Sequence, residues 1–251
     1  MDKYFCGQKM KIRRRSSIYW IVLLFSIIIS PSSLRQDNLP LIIKRIEPSV
    51  VVILIYGEEG NLLCQGSGFF INKEGDIITN RHVLQDASRA EIKTADGKVY
   101  PVTHVVAEDK GGDIIRISID IPPNVVKPLS LSRSPCRVGE RVIVIGSPLG
   151  LAQTVSDGII SAIRLTPQYG KIIQITAPIS EGSSGSPIVN MKGEVIGVAT
   201  FQISEGQNIN FAIPGERVEK LSFSRVMTLA EWISSIAKEK ISVAEELISK
   251  G

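Results

Sequence analysis

Between residue 39 and about residue 217 the apolar positions fall into short runs, each of strand length and each ended by turn residues. Val50–Tyr56, Gly68–Ile71, Ile77–Thr79, Ile114–Ile119, Arg141–Ile145, Ile159–Ile163, Lys171–Thr176, Val195–Thr200 and Ile209–Ile213 are such runs, and runs of this length rich in Val and Ile predict β-strands. The segments Asn72-Lys-Glu-Gly75, Asp96-Gly97 and Asn190-Met-Lys-Gly193 supply residues that tolerate positive φ, as hairpin turns require. Helices are nearly absent from this stretch. The pattern predicts an all-β chain whose strands close into one or two antiparallel barrels. Ile121 to Gly139 is proline-rich and poorly periodic, which places a connection between two barrels there. After residue 217 the period changes. Thr228-Leu-Ala-Glu231 and Ser242-Val-Ala-Glu245 read as capping boxes, and Leu229, Ile233, Ile236, Val243 and Leu247 share one face, so one or two C-terminal helices are expected.

Composition changes this picture little. The 251 residues are 43% apolar and 22% charged, an ordinary globular balance. The 21 glycines and 13 prolines argue against a long-helix bundle. Charge is more informative once located. Of the formal +4, residues 1 to 17 hold six Lys and Arg against Asp2, so the rest of the chain is close to neutral and lacks the basic face that nucleic acid requires. The basic stretch precedes the apolar run Ile18–Ile29. That run makes about 18 Å of helix at 1.5 Å per residue, short of a hydrocarbon core of about 30 Å. Residues 1–38 therefore read as a basic N-terminus followed by a signal peptide cleaved near Ser32 or an uncleaved membrane anchor, and either one sends the body across the cytoplasmic membrane. Cys64 and Cys136 are the only cysteines after this segment; a disulfide between them is possible but not indicated. With two histidines in the chain, no metal site is expected.

Gly182-Ser-Ser-Gly-Ser-Pro187 is the first candidate for chemistry, because glycines around a serine allow a tight turn that presents a hydroxyl and backbone N–H groups together. A serine hydroxyl needs a base, usually a histidine held by a carboxylate. His82 follows the apolar Ile77-Ile78, where a strand ends; His104 alternates with valines and reads as a strand-face residue. Asp113 abuts Ile114-Ile115, where an unpartnered acid would be costly. Asp109, between Glu108 and Lys110, reads as a solvated turn. No histidine follows Ser184, which excludes the nucleophile–acid–histidine order of α/β-hydrolases; the order His82, Asp113, Ser184 is that of a chymotrypsin-like double antiparallel β-barrel.

Six blocks, Gly66-Ser-Gly-Phe-Phe-Ile, Ile78-Thr-Asn-Arg-His-Val, Gly112-Asp-Ile-Ile, Gly146 to Ala162, Gly182-Ser-Ser-Gly-Ser-Pro and Asn210-Phe-Ala-Ile-Pro, resemble the HtrA (Deg) family of trypsin-like serine proteases, in order. The resemblance implies His82 as general base, Asp113 as orienting acid and Ser184 as nucleophile, with the Gly182 and Ser184 N–H groups as oxyanion donors and no cofactor. With the strand and capping pattern above, the chain is expected to divide into a first barrel over 39–130, a second over 131–217 and a helical extension over 218–251. The resemblance further implies unfolded or damaged polypeptides as substrates and a homotrimer built through Leu39–Pro48. Glu181, Thr200, Phe201 and Ile209 are the expected substrate-binding residues: Glu181 at the pocket rim, the others as small or apolar walls. Three positions depart from the family: Glu181 replaces a usual proline, Ser186 a glycine, and Arg116 an apolar strand residue. About 34 residues follow Arg217, which leaves no room for the family's PDZ domain. The competing reading is a catalytically silent double barrel acting as a binding or chaperone module.

Overall fold

Val51, Ile53 and Ile55 alternate with half-buried neighbours along the first strand, β1 (Val50–Tyr56), and enter one apolar core. This period of two is what a sheet with one covered face demands. In a computed structural model of the protein, residues 39–146, 154–202, 209–221 and 226–249 are described. The basic N-terminus, the apolar run and Cys6 lie outside these residues, as do 147–153 of the fourth family-like block.

Six strands form the first ring: β1, β2 (Leu62–Phe70), β3 (Asp76–Asn80), β4 (Arg89–Lys93), β5 (Val99–Asp109) and β6 (Ile114–Ile119). They pair antiparallel in the order β5-β4-β1-β2-β3-β6, and β6 pairs back onto β5 to close the barrel. The second barrel is also closed, from β7 (Arg141–Gly146), β8 (Thr154–Thr166), β9 (Gly170–Ile175), β10 (Pro187–Val189), β11 (Val195–Gln202) and β12 (Asn210–Pro214), in the order β10-β11-β12-β9-β8-β7. The three expected hairpin turns connect β2 to β3, β4 to β5 and β10 to β11, and residues 121–139 run between the barrels. β7 buries both faces. Val142 and Val144 enter one second-barrel cluster, whereas Ile143 and Ile145 join a cluster shared with Val50, Phe69, Ile78 and Ile114 of the first barrel. That shared cluster is the joint between the barrels.

Two local expectations are corrected. Leu39–Ile46 is a helix, α1, with Lys44 and Arg45 in its last turn. Leu39, Ile42, Ile43 and Ile46 recur at helical spacing and pack on the shared cluster, and basic residues suit the negative end of a helix. The C-terminal region is not wholly helical: a short α2 (Gly215–Glu219) is followed by strand β13 (Met227–Thr228), which pairs with β5 through Met227 and Val105.

The last element, α3 (Leu229–Ser249), is a single helix. Thr228 and Glu231 make the expected capping box, with the Glu231 N–H donating to Thr228 Oγ1 and the Thr228 N–H to Glu231 Oε2. Ser242 sits inside the helix, because no Gly or Pro interrupts 229–249. Leu229, Trp232 and Ile236 bury in the first-barrel core. Among the described residues, no helix is long and apolar enough to cross a membrane.

Candidate active site

β3 ends at Asn80 and the chain turns directly into a 3-10 helix, Arg81–Leu84. Buried Val83 and Leu84 pin that turn and leave the His82 side chain 43% exposed. Asp113 closes the next such turn, Lys110–Gly112, immediately before β6. Its φ of 52° is the only positive value at a non-glycine among the described residues, a conformation that costs free energy and persists only where neighbours over-determine it. They do so here. The Asp113 carbonyl accepts from the Arg81 N–H and from Asn80 Nδ2, both at 3.0 Å. Its carboxylate accepts from the His82 N–H at 2.9 Å and from Thr200 Oγ1 at 3.1 Å, and lies 2.6 Å from His82 Nδ1. A carboxylate on Nδ1 fixes the ring with that nitrogen protonated, so Nε2 is the nitrogen left to take a proton.

Ser184 lies on the loop between β9 and β10, and both barrels hold that loop. The Ser67 N–H of β2 donates to the Ser184 carbonyl at 2.8 Å, Ser67 Oγ donates to the Gly182 carbonyl at 2.7 Å, and the Gly185 N–H donates to Ala199 of β11 at 2.9 Å. Gly185 has φ 87°, and a Cβ there would run into the Ser67 carbonyl and Thr79 Oγ1, so the loop approaches β2 as closely as backbone permits. Gly182 also has positive φ, 86°. Neither the Gly182 nor the Ser184 N–H donates to an acceptor among the described residues.

Ser184 Oγ donates to the Thr200 carbonyl at 3.2 Å. A hydroxyl has one proton, so in this arrangement it does not donate to His82. Thr200 thereby departs from its expected place as a pocket wall: it is buried, its side chain is committed to Asp113 and its carbonyl holds Ser184. Ser67, Thr79 and Asn80 escape sequence reading, and Thr200 is given a different role by it, because each acts on a partner remote in the chain. Ile209 packs against the shared apolar cluster, and the Phe201 side chain lies outside the described residues. Glu181 is exposed on a groove with Leu62, Leu63, Cys64 and Gln65. His104 is exposed on β5, opposite Ser118.

Arg116 has a partner for its charge: its Nε donates to Asp76 at 2.9 Å, and Asn72 holds the same carboxylate. Asp109 is not a solvated turn, since it forms a two-point ion pair with Arg217 at 2.6 and 2.8 Å. Ser186 Oγ is buried with no partner among the described residues. Cys64 and Cys136 are free thiols. Among the described residues no group of three His, Cys, Asp or Glu side chains is placed to hold a metal ion.

The family described as trypsin-like peptidase domain matches residues 66–198, a span that includes His82, Asp113 and Ser184. The chain belongs to the trypsin-like peptidase family. Among relatives, this trypsin-like peptidase is 34% identical to serine protease HTRA1A of Danio rerio, over 85% of this chain and 47% of that protein. It is 35% identical to periplasmic serine endoprotease DegP of Salmonella typhimurium, over 68% of this chain and 37% of that protein. A crystal structure of the serine endoprotease from Yersinia pestis superimposes with a TM-score of 0.64 at 29% identity, covering 72% of this chain and 64% of that one. The chain spans less than half the length of these two curated relatives. The resemblance to HtrA proteins and the double-barrel expectation both hold.

Proposed function

We propose that this trypsin-like peptidase is a serine endopeptidase using His82, Asp113 and Ser184. The observation that carries the reading is the His82–Asp113 pair, 2.6 Å between Nδ1 and Oδ2, beside a serine on a glycine-bounded loop. In the reaction, Ser184 Oγ turns from the Thr200 carbonyl toward His82 Nε2, gives up its proton there and attacks the scissile carbonyl. The Gly182 and Ser184 N–H groups receive the oxyanion. His82 then passes the proton to the leaving amine, and water hydrolyses the acyl-enzyme by the same route in reverse. The Asp113 carboxylate holds the ring in place and steadies the imidazolium. No cofactor enters.

Unfolded or damaged polypeptides are the substrate class in this reading. The relatives are named as proteases, which supports proteolysis, and the periplasmic naming of DegP supports export of residues 39–251 by the N-terminal segment. The proposed body divides at about residue 130 into two barrels. The pocket beside Ser184 takes a small aliphatic P1 residue. Pro178 stands six positions before Ser184, where an aspartate would be needed to draw Lys or Arg, and Glu181 at the rim favours a basic neighbour weakly. A homotrimer through α1 follows from family resemblance alone.

Ser184 pointing at Thr200, with Glu181 and Ser186 flanking the loop, favours the rival reading of a silent binding module. Incubation with an unfolded protein and a peptide library decides between them: cleavage after Val, Ala or Ile that vanishes in Ser184→Ala supports the peptidase. Binding without cleavage supports the silent module, and dominant cleavage after Arg or Lys refutes the apolar pocket.

A further inference from the structure

Asp109 stands four residues before Asp113 and outside the triad, yet three hydrogen bonds converge on its carboxylate. Oδ1 accepts from the Gly112 N–H at 2.9 Å and from one terminal guanidinium nitrogen of Arg217 at 2.8 Å; Oδ2 accepts from Arg217 Nε at 2.6 Å. The other terminal nitrogen of Arg217 donates to the Tyr169 carbonyl at 2.7 Å. Asp109 belongs to the first barrel, whereas Arg217 in α2 and Tyr169 in the β8–β9 turn belong to the second. The pair therefore spans the joint at the turn that ends in Asp113.

The contact with that turn is close. A Cβ on Gly112 would lie 2.5 Å from Arg217 Nε and 2.6 Å from Asp109 Oδ2, so the pair packs directly on the α-carbon of the residue before Asp113. The Asp113 N–H is held weakly, at 3.3 Å from the Lys110 carbonyl, which leaves the Gly112 attachment as the main constraint from this side. Burial opposes ionisation of Asp109, but the hydrogen bonds and field of Arg217 and the Gly112 N–H outweigh it and hold its carboxyl below the ordinary value. Around the pair lie Glu108, Lys110, Lys171, Glu216 and Lys220. Lys110 is taken by Glu239 and Lys171 by Glu216.

We infer that Asp109 and Arg217 form a positioning clasp that holds the 110–113 turn against the second barrel and so sets the Asp113 carboxylate between His82 and Thr200. The inference rests on the reading of Asp113 as the orienting acid. Planar two-point pairing with a carboxylate is specific to arginine, and small misplacements of a catalytic group are costly.

The test uses Asp109→Asn, Arg217→Gln, their combination and Arg217→Lys, with Lys171→Gln as control. Peptide hydrolysis is measured against pH, and the His82 Nδ1–H proton resonance is recorded in the Ser184→Ala background. The clasp predicts a fall of about 10- to 100-fold carried by kcat with KM unchanged, a changed acid limb in kcat/KM, and an upfield or broadened Nδ1–H signal. The double variant should lose no more than the worse single one, since the two residues act as a unit. Arg217→Lys should retain folding and show part of the loss, and Lys171→Gln should match wild type. Variants that only lower the urea midpoint while kcat, acid limb and resonance stay at wild-type values overturn the clasp. If Ser184→Ala leaves hydrolysis intact, the peptidase reading fails instead, and the resonance alone then decides the clasp.

Discussion

Asp113 adopts a backbone conformation that an aspartate tolerates only under constraint, and its constraints come from His82, Asn80, Arg81 and Thr200. If the three site residues act as proposed, Ser184→Ala and His82→Ala each lower kcat/KM by about 10³-fold or more, while His104→Ala, on an exposed strand face, leaves it unchanged. Steady-state hydrolysis of one peptide measures all three. Ser186 offers a different check. Its buried hydroxyl lacks a partner among the described residues, and such a group costs about 1–3 kcal/mol; Ser186→Ala is expected to raise the urea midpoint, and a lowered midpoint would contradict this account of the site. The candidates His82, Asp113 and Ser184 were legible because His82 and Asp113 sit at the ends of apolar runs and Ser184 lies in a glycine-bounded turn between two of them. Thr200 and Asp109 were misread for a common reason: a threonine within a strand and an acid in a charged turn look ordinary until the fold brings Asp113 and Arg217 to them.

At the scale of elements, α3 is more than an appended tail. Trp232 is 1% exposed and its indole N–H donates to Glu108 at 3.2 Å. Glu108 also pairs with Arg81, the residue before His82, whose guanidinium lies 5.7 Å from the Trp232 ring. Trp232→Ala removes a large buried side chain and is expected to cost about 3–5 kcal/mol, read as a lowered urea midpoint; a change within 0.5 kcal/mol, the usual range for surface substitutions, would mean the helix is not docked in solution. The strands were easier to anticipate than their ends. β1 and β6 match their apolar runs residue for residue, whereas β2 starts six residues before Gly68 and β8 extends well beyond Ile159–Ile163, because ladder pairing continues through Gln65-Gly66-Ser67 and Ser156-Asp157-Gly158, where the apolar run is broken. α1 was missed although its spacing was helical, since four apolar residues in five read equally well as a strand.

At the scale of the molecule, the candidate site lies where the two barrels meet, with His82 and Asp113 on the first and Ser184 and Thr200 on the second. Its integrity therefore depends on the joint, which Asp109 and Arg217 bridge. Because the Asp109 carboxyl is held below its ordinary value, the unfolded chain binds the proton more readily than the folded one. The pair's contribution is present above the ordinary carboxylate range and is lost as pH falls through the depressed value. Wild type should thus lose more stability than Arg217→Gln on acidification below about pH 4, as followed by thermal melts at stepped pH; parallel curves would show that the pair contributes nothing. The paired barrels and the chain order of the candidate site residues were legible because strand spacing and chain order survive in one dimension. The joint was not, since its partners lie about a hundred residues apart. The most direct measurement for the central claim is labelling of the intact protein with an organophosphonate serine probe, followed by peptide mapping. The account predicts a single adduct on Ser184 that is lost in Ser184→Ala and strongly slowed in His82→Ala. No adduct on Ser184, or labelling unaffected by the loss of His82, would contradict it.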